Sequence, residues 1–167
     1  MHNIEVIPAT VGQSPILANL LELYVHDFSE FFDVEIGANG KFGYPPLPLY
    51  WTEEGRHPFL IRVNGKLAGL VLVKKSGAVW DMAEFFVIRG CRRNGIGIYV
   101  AHQVWQRFPG AWEVRVMTEN RAARQFWARA ISAFAGEPVS PVSFEKDGVN
   151  WELFSFESTG PSLSPKI

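Results

Sequence analysis

Apolar residues along this chain change rhythm several times, and each change marks where one element gives way to the next. Leu17, Leu20, Leu21, Tyr24, Val25 and Phe28 recur at the i, i+3, i+4, i+7 spacing of a helix that lays one stripe on a core. Ser14-Pro15 predicts its start, a hydroxyl cap followed by proline at the first helical position. Ahead of it, residues 3–7 alternate weakly and predict a short strand closed by Pro8. His26, Asp27, Ser29 and Glu30 fall off the stripe or near its end and read as a solvated helix terminus. Over residues 33–58 the periodicity vanishes among glycines 37, 40, 43 and 55 and prolines 45, 46, 48 and 58. Phe42, Tyr44, Tyr50 and Trp51 persist there, so this long aromatic loop is either the source of substrate specificity or a cover for the core.

A two-residue rhythm then takes over. Residues 59–63, the dipeptide Asn64-Gly65, and residues 66–74 read as a β-hairpin with a type I′ turn, since asparagine and glycine tolerate positive φ. A second turn at Ser76-Gly77 leads into residues 79–88, predicting a three-stranded antiparallel meander. Gly97, Ala101, Val104, Trp105 and Phe108 return to helical spacing until Pro109-Gly110 stops it. Trp112, Val114 and Val116 alternate with Glu113, Arg115 and Met117, as in a half-buried strand. A right-handed crossover through the intervening helix would set two strands parallel. Asn120 caps a further helix with Ala123, Phe126, Trp127, Ala130 and Ile131 inward. Residues 133–141 stay ambiguous, and residues 142–146, Asp147-Gly148 and 149–156 form a last hairpin. The Ser/Pro-rich residues 158–167 read as a frayed tail beyond a single domain over residues 1–157.

Composition narrows the classes. The 167 residues are 47% hydrophobic, enough for a real core in one domain. A net charge of −1 gives no electrostatic case for nucleic acid or an acidic membrane surface as partner. Cys91 is the single cysteine, which excludes an internal disulfide and a cysteine-based zinc site, and the four histidines are scattered singly, so no metal is expected. Without a signal-peptide pattern or an apolar run of about 20 residues, the expectation is a soluble cytoplasmic protein.

The stretch that carries chemistry is Phe85-Phe86-Val87-Ile88-Arg89-Gly90-Cys91-Arg92-Arg93-Asn94-Gly95-Ile96-Gly97. It is an apolar strand running into a basic turn with two glycines opening a helix. Such a turn lets several backbone N–H groups converge on one anion where the helix dipole is already positive. A dinucleotide fingerprint would need a third glycine where Val100 stands, and a nucleotide-hydrolase phosphate loop would need Gly-Lys-Ser or Gly-Lys-Thr, which is absent. Arg92-x-x-Gly95-x-Gly97 after a meander, with Val87 five residues before Arg92 and Asn120-x-x-Ala123 downstream, resembles the acyl-coenzyme A signature of the GCN5-related N-acetyltransferase (GNAT) superfamily. The resemblance extends over most of the chain.

That resemblance implies an α/β (α+β) fold: a mixed central sheet of about six or seven strands flanked by helices, with a splayed parallel strand pair forming the coenzyme cleft. It implies acetyl-coenzyme A as cosubstrate, with no metal. Its pyrophosphate would lie on the backbone of Arg93, Asn94, Gly95, Ile96 and Gly97, with Arg92 heading the loop. Backbone groups near Phe86 and Val87 would pair with the pantetheine arm and polarise the thioester carbonyl. Asn120 would hydrogen-bond the arm. Family members are often dimers, which makes the C-terminal hairpin around Trp151 a candidate dimer surface.

The implied reaction is direct attack of a neutral amine, which calls for a carboxylate to take the ammonium proton. Glu84 is the first candidate and Asp81 the second; regular alternation puts them on opposite faces of the strand unless it bulges. Many members carry a tyrosine seven residues after the asparagine to protonate the departing thiolate. Trp127 stands there, and an indole N–H does not surrender its proton, so Tyr44, Tyr50 or solvent would have to serve. Cys91 lacks a neighbouring histidine and reads as a bystander. The leading expectation is an N-acetyltransferase acting on a small-molecule or peptide amine. Its rival is a non-catalytic acyl-coenzyme A binding or sensing domain, and a different acyl donor is a third reading.

Overall fold

The computed structural model describes residues 1–161. The elements follow as β1 (Ile4–Pro8), α1 (Ser14–Phe28), β2 (Arg56–Val63), β3 (Lys66–Ser76), β4 (Val79–Val87), α2 (Ile96–Arg107), β5 (Gly110–Met117), α3 (Arg121–Ala135), β6 (Val142–Lys146) and β7 (Val149–Ser158). The seven strands make one mixed sheet in the order β1-β2-β3-β4-β5-β7-β6. β4 and β5 run parallel, paired at Val79↔Ala111, Trp80↔Trp112 and Asp81↔Glu113. β1 with β2, β2 with β3, β5 with β7 and β6 with β7 are antiparallel. The tail expected to fray lies, from residue 162 on, outside the described residues.

Backbone proximity groups the chain into two compact units, Met1–Lys74 with Ala83–Arg92, and Lys75–Met82 with the chain from Arg93 onward. In the first, the stripe of α1 does what its spacing requires. Leu17 and Leu21 are buried with Leu60, Leu70, Leu72 and Phe86, and Leu47 and Tyr50 of the aromatic loop join them. Two boundaries differ from expectation. Ser14 is already helical, because a 3-10 turn over Val11–Gln13 leads into α1 and the Thr10 N–H donates to Gln13 Oε1 at 2.9 Å. β2 begins at Arg56, before Pro58. β1 stops opposite Phe59, so no ladder bond on that side needs an N–H from residue 58. The Pro58 carbonyl instead accepts the Ala9 N–H at 2.9 Å.

The second unit is built around aromatic packing. α2 buries Ile96, Val100, Ala101, Val104 and Trp105, so its inner face is centred on Ile96 and Val100 rather than on Gly97. The Trp105 ring lies 4.8 Å from Phe156, 5.1 Å from Phe134 and 6.2 Å from Trp127 between centroids. A hydrogen bond of 2.8 Å between His102 Nε2 and the Ala130 carbonyl ties α2 to α3. Of the ambiguous stretch 133–141, residues 133–135 form the last turn of α3, ended by Gly136 at φ 76°, and the rest runs irregularly to β6. Ser158, placed in the tail by the sequence reading, closes β7, buried, with its hydroxyl donating to the Trp105 carbonyl at 2.6 Å.

Candidate functional site

The basic turn forms as its sequence dictates. After a short 3-10 turn over Arg89–Cys91 the backbone extends at Arg92, turns left-handed at Arg93 (φ 67°), and turns left-handed again at Gly95 (φ 73°), the residue that opens α2. No side chain caps α2. The first N–H groups of a helix have no partner within it, so this end presents backbone donors and the positive end of the helix dipole. Arg93, Asn94 and Gly95 are exposed, while Ile96 is buried and anchors the turn. Exposed donors on an anchored backbone are what an anionic phosphate group requires.

Arg92 is used differently from a phosphate ligand. Its Nε donates to the Val87 carbonyl at 2.7 Å and its Nη2 to Asp27 Oδ2 at 2.6 Å, with the guanidinium 5.7 Å from the centroid of the Phe86 ring. Arg89 reaches the other oxygen of the same carboxylate, with Nη2 at 2.7 Å and Nε at 3.2 Å. Asp27 is therefore a two-arginine anchor at the end of α1, not a solvated helix terminus. Burial alone would raise its carboxyl pKa, but the hydrogen bonds from Arg92 and Arg89 and their charges outweigh that and hold it below the usual 3.8.

The strand end at Phe86 and Val87 has a partner that the sequence reading did not single out. A Cβ on Gly69 of β3 would lie 1.9 Å from the Phe86 carbonyl oxygen and 3.1 Å from Val87 Cα. That approach accompanies a register shift between β2 and β3 at Ile61/Arg62, opposite Gly69 and Leu67. The Ile88 N–H donates to the Ala68 carbonyl at 2.8 Å just beyond. A glycine inside an apolar strand was the available signal.

The two candidate bases sit in different settings. Glu84, half-buried in the first unit, accepts the Tyr44 hydroxyl at 2.9 Å and a hydrogen bond from Tyr24. Tyr24 packs on Phe86 at 5.8 Å and edge-on to Phe28 at 4.7 Å. Burial first, and then the Glu84 charge and hydrogen bond, push the pKa of both phenols above the ordinary value. Tyr44 therefore holds its proton more tightly than a free phenol, which argues against it as the acid for a thiolate. Tyr44 also shares a hydrogen bond with Tyr50, which is buried at 3% exposure. The loop that carries Tyr44 is held down by Glu22, whose Oε2 accepts the N–H groups of Phe42 and Gly43 at 3.1 and 3.4 Å. It is also held by the Trp51 indole, which donates to the Ala9 carbonyl at 2.9 Å. The loop thus both covers core and delivers a side chain to Glu84.

Asp81 belongs to the second unit, buried, with Arg115 Nη2 2.9 Å from its Oδ2. Asn120 caps α3 as expected, its Oδ1 accepting the Ala123 N–H at 3.1 Å. Trp127 is buried among the aromatics of the second unit. Cys91 is half-buried, and its backbone N–H closes the 3-10 turn onto the Ile88 carbonyl at 2.9 Å. Among the described residues no group of three or more His, Cys, Asp or Glu side chains could hold a metal ion. No helix among them is long and apolar enough to cross a membrane.

Comparison with known proteins adds an independent finding. The model of the acetyltransferase (GNAT) family matches residues 17–131, a span that holds most of α1, the meander, the basic turn, the parallel pair and most of α3. No curated protein matches the sequence. Among solved structures the chain is similar to an acetyltransferase from Thermus thermophilus, with TM-score 0.68, 13% identity, and 94% of this chain and 99% of that one covered. It is also similar to a GNAT family acetyltransferase from Elizabethkingia anophelis with acetyl-CoA bound, with TM-score 0.62, 13% identity, and 93% and 98% coverage. A third is the PaiA N-acetyltransferase from Thermoplasma acidophilum in complex with coenzyme A, with TM-score 0.64, 9% identity, and 93% and 99% coverage. At these identities the likeness is one of fold.

Proposed function

The chain belongs to the GNAT acetyltransferase family, and on that premise we propose that it moves an acetyl group from acetyl-coenzyme A to the nitrogen of a primary amine by direct attack. The observation that carries this reading is the basic turn, with left-handed Arg93 and Gly95 and an α2 start that no side chain caps. In it, the backbone of Arg93, Asn94, Gly95, Ile96 and Gly97 takes the pyrophosphate. Arg92 shapes the loop from Asp27 and the Val87 carbonyl. A backbone N–H of the Phe86–Val87 stretch polarises the thioester carbonyl, and the Asn120 amide reaches the pantetheine arm with its NH2 while its oxygen caps α3.

Glu84 is the base in this reading, with Asp81 the second candidate. An ammonium acceptor gives one proton to the carboxylate, and the lone pair so freed attacks the thioester carbonyl carbon. As the tetrahedral species collapses, the C–S bond breaks and coenzyme A leaves as a thiolate. The nitrogen's second proton neutralises that thiolate, directly or through water, so no phenol acid is needed. The third hydrogen stays on the amide, and Glu84 returns its proton to solvent.

Trp127 favours a second reading. A buried indole fills the position where many members carry an acid, as it would in a domain that binds acyl-coenzyme A without transferring the acyl group. Free-thiol release from acetyl-coenzyme A across a panel of primary amines separates the two. Amine-dependent release is expected. Saturable acetyl-coenzyme A binding with no release for any amine would leave the binding domain.

A further inference from the structure

We propose that Arg124 is a positioning residue for the coenzyme: it fixes the turn between β5 and α3, so that the side-chain NH2 of Asn120 is left free, in one place, for the pantetheine arm. This rests on the acetyl-coenzyme A reading above, in which that NH2 meets the arm, and adds the residue that holds it. All the groups concerned lie in the second unit.

Asn120 is committed everywhere except at that NH2. Its backbone N–H donates to the Met117 carbonyl at 3.0 Å, and its own carbonyl accepts the Arg124 N–H at 3.0 Å. Its Oδ1 accepts the Ala123 N–H at 3.1 Å, which fixes which end of the amide is oxygen. The amide nitrogen carries two donors, and neither has a partner among the described residues. The residue is half-buried. Donors held in a fixed direction and left unused there are ready for the oxygen of a ligand.

The turn that carries Asn120 is tied by one side chain. β5 ends at Met117, and Thr118 and Glu119 make the turn. Arg124 Nη1 donates to the Thr118 carbonyl at 3.3 Å. The same guanidinium forks onto Glu152 of β7, with Nε to Oε2 and Nη2 to Oε1 both at 2.8 Å. Glu152 stands opposite Val116 in the β5–β7 ladder, and the Thr118 N–H donates to the Asn150 carbonyl at 2.9 Å. Two parallel bonds fix the plane of the guanidinium, and its third nitrogen then meets the turn in one orientation. Stability alone does not account for the pair. Glu152 is 8% exposed, and apolar side chains of similar size are often as stabilising at such a position as a buried ion pair. What they cannot do is hold the Thr118 carbonyl. Beside the pair lies a cavity of about 400 Å³, lined also by Gln125 and Phe154, so on that side bonds rather than packing orient the guanidinium.

Titration calorimetry of the full chain with coenzyme A tests this in a double-mutant cycle of Arg124→Lys and Asn120→Ser. Serine keeps an oxygen to cap α3 and removes the NH2, while lysine keeps the charge and loses the fork. Each single variant should weaken coenzyme A binding about 3-fold or more, the range of one hydrogen bond or of coupling through a neighbour. In the Asn120→Ser background, Arg124→Lys should cost less than about 2-fold, because the group it positions is gone. Unchanged binding by either single variant overturns the proposal. So do losses that multiply in the double variant, the result of a residue that only stabilises the fold. If Arg124→Lys does not fold, Glu152→Gln replaces it in the cycle with the same expectation, since it keeps the shape and removes the charge that holds the fork. Thiol release across the amine panel separates this from the reading it rests on. The expected cycle without release would support Arg124 and remove acetyl transfer, whereas multiplying losses with release intact would remove Arg124 alone.

Discussion

Asp27 holds Arg89 through one carboxylate oxygen and Arg92 through the other, and so connects the end of α1 to the residue that heads the basic turn. Its neighbour one helical turn earlier, Tyr24, holds Glu84. One face of α1 therefore meets both Arg92 and the candidate base Glu84. Asp27→Asn should raise the KM for acetyl-coenzyme A several-fold with a smaller effect on kcat, because Arg92 would lose the partner that orients the loop. The pH dependence has a definite sign. With its pKa lowered by Arg92 and Arg89 against the opposing effect of burial, Asp27 contributes stability above the usual 3.8 and loses it as pH falls through the folded value. The gap in urea midpoint between wild type and Asp27→Asn should thus close on acidification below 3.8; a constant gap would show that the ion pairs contribute nothing. Asp27 could not be recognised from spacing, since what defines its role is two arginines 62 and 65 residues away.

At the scale of elements, β3 and β4 are shaped by one missing side chain. The Phe86 carbonyl occupies the place of a Gly69 Cβ, where the obstructing atoms are backbone and cannot rotate away. Gly69→Ala should cost about 1–3 kcal/mol, the range for overpacking a tight interior site. It should also weaken acetyl-coenzyme A more than its loss of stability alone would, because the displaced strand end is Phe86 and Val87. Denaturation midpoint and coenzyme affinity measured together check this, and a variant with native stability and affinity would refute the account. The elements themselves were largely legible. The stripe of α1, the Asn64-Gly65 and Asp147-Gly148 turns and the Asn120 cap all form where periodicity and turn chemistry place them. The lead-in to α1 and the start of β2 were not, because neighbouring backbone, a 3-10 turn in one case and the end of β1 in the other, set those limits.

For the molecule as a whole, coenzyme binding and stability are linked. A ligand that binds only the folded chain at 100 times its Kd adds about 2.7 kcal/mol, which for a chain of this size raises Tm by about 5–10 °C. Gly95→Val should remove that rise. A β-branched residue resists φ of 73°, and the backbone donors would turn away, although nothing lies within 4 Å of the added Cβ to disturb packing. The Tm without ligand should fall only modestly. An intact ligand-induced shift in this variant would place the anion seat elsewhere.

The sequence by itself determined the local events. Helical and strand periods, hairpin turns, the cap at Asn120 and the glycine-opened α2 depend on residues within a few positions of each other, where covalent geometry and backbone preference decide. It also carried the family, through the turn and Asn120. Tertiary structure decided which charges and hydroxyls meet. Glu84 gains Tyr24 and Tyr44 from α1 and the aromatic loop, Asp81 is claimed by Arg115, and Arg92 is turned toward Asp27. Such meetings join residues tens of positions apart, and they follow from packing that no local pattern encodes.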